Sequence, residues 1–495
     1  MILSEHIEVN IKKIEALLEG CADVVHRKMI IANVTAYVIY MDSMIDRELV
    51  EGEFLRDIMY GVKELPAYGR VEFLQNYALS TADSKLMDKI EDILVEALSG
   101  NTIVMMDQSA QALVISSKKF PMRGVQTAES EVSVRGPKDS FTESMRFNTV
   151  LIRRRIRDTR LKSIQKRIGE RSKTDISIMY VKGIARPELI REIENRLDAF
   201  KIDGIFDCGS LEQLTEKKWY SPFPQFQATE RPDKAASALL EGRIVLVIDN
   251  SPTVLLLPAT LNCFFQAADD YYNRWGIVCF VRILRYIAAV IAMIFPGFYI
   301  GVVCFQPEML PTSLELSFAA ARQGVPFSVA VEVLLLELAF ELLREAGIRL
   351  PGPMGSALGI VGGLIIGQAA VDANIVSPIV VIVVALTALA SFTIPNESFA
   401  SALRLVKFYL IILGAFLGIY GVVLGVLVVL IHLASLESFG IPYLMPFAAS
   451  NADESMDYQD GLIRRPLFKL KKRPVFAKKD QRIRYRSEVN EDVFK

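Results

Sequence analysis

Long stretches without a charged residue constrain the fold of this 495-residue chain more than any other feature. Three of them run over residues 286–305, 375–394 and 408–431. Each is close to the ~20 apolar residues that a helix needs to cross a ~30 Å hydrocarbon core. A helix of a water-soluble protein seldom stays apolar on every face over that length, because one side must meet water. We therefore predict a multi-span membrane domain over residues 276–440, with a soluble region before it.

Charge and targeting signals place both ends of the chain on one side of that membrane. The tail, residues 441–495, is basic between Arg464 and Arg486, and basic segments next to a span usually lie in the cytoplasm. The N-terminus lacks the basic region followed by an apolar region that marks a secretory signal peptide. The N-terminal region and the tail are therefore both predicted to be cytoplasmic. The tail is interpreted as solvated, with contact to anionic lipid headgroups as the alternative.

The residue types that usually act in catalysis or metal binding show no pattern that is typical of an enzyme class. The five cysteines contain no C-x-x-C pair, which argues against a disulfide framework and a zinc site. The chain has three histidines and lacks the G-x-S-x-G, P-loop and G-x-G-x-x-G patterns. The adjacent Asp269 and Asp270 would point about 100° apart on a helix and would not converge on one site. We therefore predict no catalytic residue, no cofactor and no metal site.

The soluble half repeats itself. Members of a helix–Gly–strand–Asp-x-Ser–strand pattern recur 142 positions later: Leu98, Gly100, Asp107, Ser109 and Leu113 return as Leu240, Gly242, Asp249, Ser251 and Leu255. Three upstream residues recur 140 positions later: Tyr40, Glu48 and Leu49 return as Tyr180, Glu188 and Leu189. The shared spacing predicts two related α/β subdomains in tandem, residues 1–117 and 173–275, with Asp107 and Asp249 in equivalent hairpin turns.

The segments around this repeat are predicted from periodicity. Residues 84–98 are predicted to form one amphipathic helix. Residues 118–172 are predicted to form a linker loop and then a basic helix that begins near Ser140 and continues past a dense arginine cluster. The cluster comprises Arg153, Arg154, Arg155, Arg157 and Arg160. Since no nucleic-acid-binding motif or stacking aromatic accompanies it, we interpret it as a solvated, ion-paired helix face or a subunit contact.

Polar and small residues interrupt the apolar helices of the membrane half. Three carboxylates lie within one apolar pattern: Glu332, Glu337 and Glu341. Carboxylates at membrane depth usually face a bundle interior or water. Glycines recur at every fourth position of the next pattern: Gly355, Gly359, Gly363 and Gly367. This spacing lets helix backbones approach closely.

The number of crossings stays open at this point. Taking every apolar segment as a crossing gives five spans and puts the basic tail outside, whereas the tail charge favours an even number. The predicted fold is therefore α/β + α: two tandem α/β subdomains, followed by an all-α membrane domain of four to five hydrophobic helices. Either the glutamate-bearing helix or the glycine-rich helix would then fail to cross fully.

Five long blocks of this sequence resemble one protein family, over roughly residues 24–444. The blocks are RGPKDSFTESMRFNTVLIRRRI, WYSPFPQFQATERPDK, LLLPATLNCFFQAADDYYNRW, ELLREAGIRLPGPMG and GIVGGLIIGQAAVDANIVSP. They resemble the A-subunit family of bacterial spore germinant receptors, the GerA family. The resemblance implies a place in the inner membrane of dormant spores, beside a transporter-like B subunit that holds the nutrient and a lipoprotein C subunit. It further implies a ring of A subunits that conducts ions when nutrient binds, and no catalytic residues.

Two alternatives remain beside this expectation. A paralogous branch of the family acts with the machinery that releases dipicolinic acid. A monomeric secondary transporter is the other alternative, although that class usually carries its repeats in the membrane half. If the chain is a germinant-receptor subunit, membrane lipid and further copies of the chain are expected partners, and nucleic acid is not.

A pore can be predicted from the glutamates and the glycine-rich helix together. The candidate pore or packing residues are Glu332, Glu337, Glu341, Gly359, Val361, Gly363, Ile365 and Gly367. The glycines would set the distance between helices, and Val361 and Ile365 would form a constriction that excludes water. Glu337 and Glu341, repeated around a ring, would favour cations. Alternatively, the glycines pack within their own subunit and the glutamates pair with Arg344 or other neighbours.

Overall fold

The computed structural model describes residues 1–54, 62–78, 83–119, 133–349, 354–448 and 460–484, together with Arg56, Ile58, Met59 and Glu131. The chain divides into two compact units. The first contains Met1–Trp219, Gln225–Ala259 and Pro466–Lys495, and the second contains Tyr220–Pro224 and Thr260–Arg465. The first unit is α/β and the second is helical, so the predicted change of structural class is observed.

The α/β unit begins with a five-stranded antiparallel sheet in the order β1-β2-β4-β5-β3. Its strands are β1 (Val24–Ile31), β2 (Val34–Met41), β3 (Ser84–Met87), β4 (Thr102–Met106) and β5 (Ala112–Ile115). Its α-helices are α1 (Ile7–Leu18), α2 (Arg70–Phe73) and α3 (Ile90–Ala97), with π-helical segments at Glu48–Phe54 and Leu74–Ala78. Ile7, Ile11, Ile14 and Leu18 form the buried face of α1, as the period of a core-facing helix requires.

A second sheet repeats this topology in the order β6-β7-β9-β10-β8. Its strands are β6 (Leu161–Ile168), β7 (Thr174–Val181), β8 (Gln227–Thr229), β9 (Ile244–Ile248) and β10 (Val254–Leu257). Its helices are α4 (Met145–Arg153), α5 (Pro187–Asp198), α6 (Cys208–Thr215) and α7 (Pro232–Leu240). The identical strand order confirms the predicted duplication.

The two repeats also share individual hydrogen bonds. The Asp107 carboxylate accepts a hydrogen bond from the Ile7 N–H at the start of α1 (3.1 Å), and Asp249 accepts one from the Met145 N–H at the start of α4 (3.0 Å). The Asp107 N–H donates to the carbonyl of Thr35 (2.9 Å), as the Asp249 N–H donates to the carbonyl of Asp175 (3.0 Å). Each aspartate therefore ties its hairpin to the first helix of its own repeat, which confirms that the two turns are equivalent.

Two predicted helices are wrong. Residues 84–98 do not form one helix, because β3 occupies their first part and α3 begins only at Ile90. The basic helix ends at Arg153, and β6 follows it where helix was expected. In both cases a partner strand decides the outcome, since β3 pairs with β5 and β6 pairs with β7 over its whole length. Pairing with a neighbouring strand routinely overrides local propensity.

The arginine cluster is largely ion-paired, but the prediction of a solvated helix face is wrong for Arg153. Arg153 is fully buried, and its guanidinium donates to both oxygens of Asp23, at 2.6 and 3.0 Å. Arg155 pairs with Asp139 (2.7 Å), and Arg160 pairs with Asp158 (2.7 Å). The Arg153–Asp23 pair joins α4 of the second repeat to the residue before β1 of the first. It therefore fixes the two repeats against each other.

The interpretation of the basic tail as a solvated segment is wrong for the part that the structure describes. Pro466–Lys495 is assigned to the α/β unit. Ala477 is fully buried, and Val475 and Phe476 are 3% and 5% exposed. These apolar residues lie between the lysines and arginines of the tail. Their burial was not predicted because the segment as a whole is strongly basic.

The helical unit contains seven α-helices among the described residues. They are α8 (Leu261–Phe265), α9 (Trp275–Phe305), α10 (Thr312–Ala321), α11 (Val329–Ile348), α12 (Met354–Asp372), α13 (Pro378–Phe392) and α14 (Glu397–Ser435). Short 3-10 turns lie at Ala268–Tyr271 and Pro307–Met309, and a two-stranded ribbon joins β11 (Glu437–Ser438) to β12 (Ile441–Pro442). The two helices α9 and α14 are long and apolar enough to cross a membrane, whereas the predicted four to five spans are not established by this criterion.

Helix α14 reverses direction at Gly418, so the predicted straight span over residues 408–431 is wrong. Gly418 has φ 61° and ψ −148°, a conformation that essentially only glycine adopts. A methyl group at Gly425 would stand 2.5 Å from Leu410 Cδ2, although a straight helix would separate these residues by about 22 Å. The ring of Phe223 lies 6.0 Å from that of Phe399 and 6.1 Å from that of His432. Residues 397–417 and 419–435 are therefore the two arms of a helical hairpin.

We predict that Arg153→Ala lowers the stability of the α/β unit. Removing one partner of a buried ion pair costs about 3–5 kcal/mol, because the other charge stays buried without compensation. The measurement is thermal unfolding of the full chain in mild detergent. Arg160→Ala is the control, since Arg160 is 65% exposed beside Asp158 and its loss should cost less than about 1 kcal/mol. Equal effects of the two variants would contradict the role given to Arg153.

Candidate functional site: buried charges in the helical unit

Glu337 lies inside the helical unit and is paired with a lysine. Its carboxylate is 1% exposed, and Oε2 lies 2.5 Å from Nζ of Lys407, which is itself 5% exposed. Glu337 comes from the middle of α11, and Lys407 comes from the first arm of α14. The pair therefore links these two helices and cancels a carboxylate charge that would be costly to bury alone.

A second group of charges lies one helical turn further along α11. Arg404 Nε lies 3.2 Å from Oε1 of Glu341, and its guanidinium also reaches Glu397 at 3.3 Å. Arg344 pairs with the same Glu397 at 2.7 Å. Glu337 and Glu341 share one face of α11, and Arg404 and Lys407 share one face of α14, because residues three or four apart on a helix are neighbours on its surface. Glu337 pairs with Lys407, and Glu341 pairs with Arg404. Arg344 is therefore a partner of Glu397 rather than of Glu337.

Glu332 holds the start of α13. The carboxylate is fully buried, and Oε2 accepts a hydrogen bond from the backbone N–H of Ser377 at 2.7 Å. Ser377 is the N-cap residue of α13, where a negative charge is favoured by the helix dipole. Arg322 Nε lies 3.4 Å from Oε1 of Glu332. The hydroxyl groups of Tyr299 and Ser377 are buried nearby.

The glycines of α12 pack against neighbouring helices of the same chain. A methyl group at Gly363 would stand 3.7 Å from Phe340 Cε2 on α11, and one at Gly367 would stand 3.2 Å from Val381 Cγ1 on α13. Ile365 points the other way and is 61% exposed. The surroundings of Gly359 and the side chain of Val361 lie outside what the structure describes. In this chain the described glycines therefore serve internal packing, while Ile365 belongs to an outward face of α12.

A closer helix approach lies between α9 and the first arm of α14. A methyl group at Gly297 would stand 2.7 Å from the carbonyl oxygen of Leu410, and one at Gly414 would stand 2.6 Å from the carbonyl oxygen of Gly297. Neither position leaves room for a larger residue unless the backbones separate. Gly297 and Gly301 are four residues apart on α9, and Gly414 and Gly418 are four residues apart on α14, which is the small-residue spacing that permits close helix approach.

A further buried cluster fixes the start of α9. Arg282 is fully buried, and its guanidinium donates to Asp270 at 2.9 Å and to Asp460 at 2.7 Å. Arg285 donates to the same Asp270 carboxylate at 2.9 Å. The Tyr271 ring lies 5.8 Å from the Arg282 guanidinium. Asp270 is thus an anchor for arginines, and the segment that contains Asp460 packs against the beginning of α9.

These groups form salt bridges and helix caps rather than a reactive centre. Each buried carboxylate of α11 faces a cation or a helix N-terminus, and no cluster of three potential metal-ligating side chains occurs in the part of the chain that the structure describes. What the arrangement can do is hold α11, α13 and α14 in register through charges. Lys407 and Arg404 were visible in the sequence as cations flanking an apolar run, but their partners lie about 60 to 70 residues away.

Several known proteins are similar to the chain. The family model described as Bacillus/Clostridium GerA spore germination protein matches residues 12–476. Spore germination protein KA of Bacillus subtilis (strain 168) is 38% identical over 487 residues, which cover 98% of this chain and 89% of that protein. The membrane protein YfkQ of the same organism is 36% identical over 474 residues, which cover 95% of this chain and 91% of YfkQ.

One solved structure is also similar. It is the crystal structure of the N-terminal domain of the A subunit of the Bacillus megaterium spore germinant receptor GerK3. The match has 28% sequence identity and a TM-score of 0.43, and it covers 53% of this chain and 98% of that domain.

We predict that Lys407→Met destabilises the helical unit, because Glu337 would remain buried without its counter-charge. The loss should be about 3–5 kcal/mol, seen as a lower melting temperature in mild detergent, and the double variant Lys407→Met with Glu337→Leu should recover most of it. Arg344→Met is the control, since its partner Glu397 is 65% exposed. A double variant no more stable than Lys407→Met would contradict the pairing.

Proposed function

Because the chain belongs to the GerA family of spore germination proteins, we propose that it is the A-type subunit of a nutrient-sensing germination receptor. In this proposal it lies in the inner membrane of the spore, with a transporter-like B subunit and a lipoprotein C subunit as partners. Several copies assemble and conduct cations when nutrient binds. The observation that carries the proposal is the family match over residues 12–476, which includes both α/β repeats and the helical unit.

A membrane location is supported by the surface of the helical unit. Large apolar side chains are exposed along α9, α13 and α14, including Phe280 (69%), Leu389 (65%) and Phe416 (78%). Water-soluble monomers rarely expose contiguous apolar surface on this scale. The hydrocarbon of a bilayer accepts it without cost, while the buried charges of α11 remain inside the unit.

An even number of crossings is supported by the reversal at Gly418. Counting α9, α11, α12, α13 and both arms of α14 as crossings gives six. The chain leaves the α/β unit at Ala259 and re-enters the same unit at Pro466. A compact α/β unit cannot lie on both sides of a membrane, so the helical unit between these points must return to the side where it began. The N-terminal region and the tail are then both cytoplasmic.

The constriction of the pore is assigned to α12. Glu337 and Glu341 are matched by Lys407 and Arg404 within one chain, so in this conformation they offer no free carboxylate to passing cations. The outward face of α12 is apolar at Ile365, which suits a constriction that excludes water. Val361 precedes Ile365 by four residues, the spacing of side chains on one helix face. The charge pairs then fix α11 against α14 behind that constriction.

The functional test is Val361→Ala in spores of the native organism. Removing two methyl groups from an apolar constriction should admit water, so the spores should release cations and germinate without nutrient. The measurement is monovalent cation release from dormant spores, with the amount of the protein in the inner membrane followed in parallel. Val331→Ala is the control, because Val331 is an exposed apolar residue of α11 (44%). Normal dormancy of Val361→Ala spores at parental protein levels would contradict the assignment to α12.

A further inference from the structure

The C-terminal segment occupies in the second repeat the place that the residues after β5 occupy in the first. In the first repeat, Lys118 forms an antiparallel bridge with Ile45, and the Lys119 N–H donates to the carbonyl of Met44 at 2.9 Å. In the second repeat, Ala477 forms an antiparallel bridge with Ala185, and the Lys478 N–H donates to the carbonyl of Ile184 at 2.8 Å.

The residues on the receiving side correspond by the repeat spacing. Ile184 and Ala185 follow Met44 and Ile45 by 140 positions, the offset that relates Tyr40 to Tyr180. The donors do not correspond in sequence, because Ala477 lies more than 300 positions beyond Lys118. The same backbone contact is thus made once by the chain that directly continues from β5 and once by a segment from the far end of the chain.

The surroundings of two equivalent glycines differ in the same way. The chain after β5 contacts the glycine of the first repeat, and the C-terminal segment contacts the glycine of the second. Gly100 and Gly242 end α3 and α7 with nearly identical positive φ angles, 93° and 92°. A methyl group at Gly100 would stand 3.1 Å from the carbonyl oxygen of Met44 and 3.5 Å from Lys118 Cγ. One at Gly242 would stand 2.7 Å from the Cα atom of Ala477. The backbone of the C-terminal segment therefore packs directly against Gly242.

The contact is more than a single bridge. Arg473 Nε donates to the carbonyl of Leu240 at 2.8 Å, and the Arg186 guanidinium donates to the carbonyl of Val475. The Arg243 guanidinium lies 5.4 Å from the centre of the Phe476 ring. Ala477 packs in the same apolar cluster as Ala238 and Val245. Burial of these apolar side chains stabilises the second repeat by removing their surface from water.

We propose that residues 466–484 are a clasp that completes the second repeat, and that the helical unit is an insertion between β10 and this clasp. In the first repeat the chain after β5 closes its own subdomain. In the second repeat the chain after β10 departs into the helical unit, and the groove beside Gly242 stays open until the C-terminal segment fills it. The clasp fixes the far end of the helical unit to the same repeat that holds its beginning.

This arrangement gives the clasp a conformational role that does not depend on the proposed receptor function. The second repeat is closed only when the chain has passed through the whole helical unit and returned. Release of residues 466–484 would therefore reopen the groove beside Gly242.

The first test is a pair of engineered disulfides in the full chain in mild detergent, with Cys279→Ser and Cys304→Ser as background. Antiparallel bridge partners have Cα atoms about 4.5–5.5 Å apart, which a disulfide accepts. Ala185→Cys with Ala477→Cys should therefore cross-link within one chain under mild oxidation. Ile45→Cys with Lys118→Cys, the matched pair in the first repeat, is the positive control. Cross-linking of the control pair alone, or cross-links between two chains, would overturn the clasp.

The second test compares two equivalent glycine substitutions by limited trypsin digestion. Gly242→Ala and Gly100→Ala carry the same backbone strain, because both sites have positive φ, but only Gly242→Ala clashes with the clasp backbone. Cleavage within residues 471–482 should be at least about tenfold faster in Gly242→Ala than in the parent, and near the parental rate in Gly100→Ala. Equal cleavage rates in the two variants would overturn the proposal.

Discussion

The chain leaves its second α/β repeat at Ala259 and returns to the same compact unit at Pro466, and this return constrains everything between the two points. In the proposed topology, the intervening helices must end on the side of the membrane where they began. The reversal at Gly418 supplies the needed change of direction, because it turns one 39-residue helix into two antiparallel arms. Glycine is the residue that permits it, since its φ of 61° with ψ of −148° is closed to other residues.

Pairing with cations and helix N-termini explains why charges are tolerated inside the helical unit. An isolated carboxylate in an apolar interior would lose its hydration without compensation. Glu337 meets Lys407, and Glu332 meets the N-terminus of α13, so the polar groups fix which helices become neighbours. Apolar packing alone is non-directional in lipid, where tails are as apolar as leucine. The charge pairs thus contribute register, and the close approach of Gly297 to Leu410 contributes packing.

Much of the α/β unit was predictable from one sequence, whereas the critical features of the helical unit were not. The duplication followed from the equal spacing of Gly100 and Gly242 and of Asp107 and Asp249, because these residues occupy turns whose geometry tolerates few alternatives. The short strands β3 and β6 were mistaken for helix, since their identity depends on partner strands. The reversal at Gly418 lies in an uncharged run that contains four glycines, and nothing in the sequence distinguishes Gly418 from the other three.

The candidate site was likewise predictable only in part. The sequence identified Glu332, Glu337 and Glu341 as unusual, because carboxylates are rare at membrane depth. It did not identify Lys407 and Ser377 as their partners, since 70 and 45 residues separate the members of each pair. Likewise, the charge of the tail concealed Val475, Phe476 and Ala477, whose burial depends on a groove in the second repeat.

Cysteine labelling tests most directly whether the helical unit returns to its side of origin. One cysteine at a time is introduced, by Ser313→Cys in α10 or by Leu467→Cys in the C-terminal segment, both at exposed positions, in a background with Cys279→Ser and Cys304→Ser, so that the remaining native cysteines are buried. A membrane-impermeant maleimide is applied from outside to intact cells that express the protein. We predict that the Ser313→Cys variant is labelled at once and that the Leu467→Cys variant is labelled only after the membrane is permeabilised. Labelling of the Leu467→Cys variant across an intact membrane would contradict it.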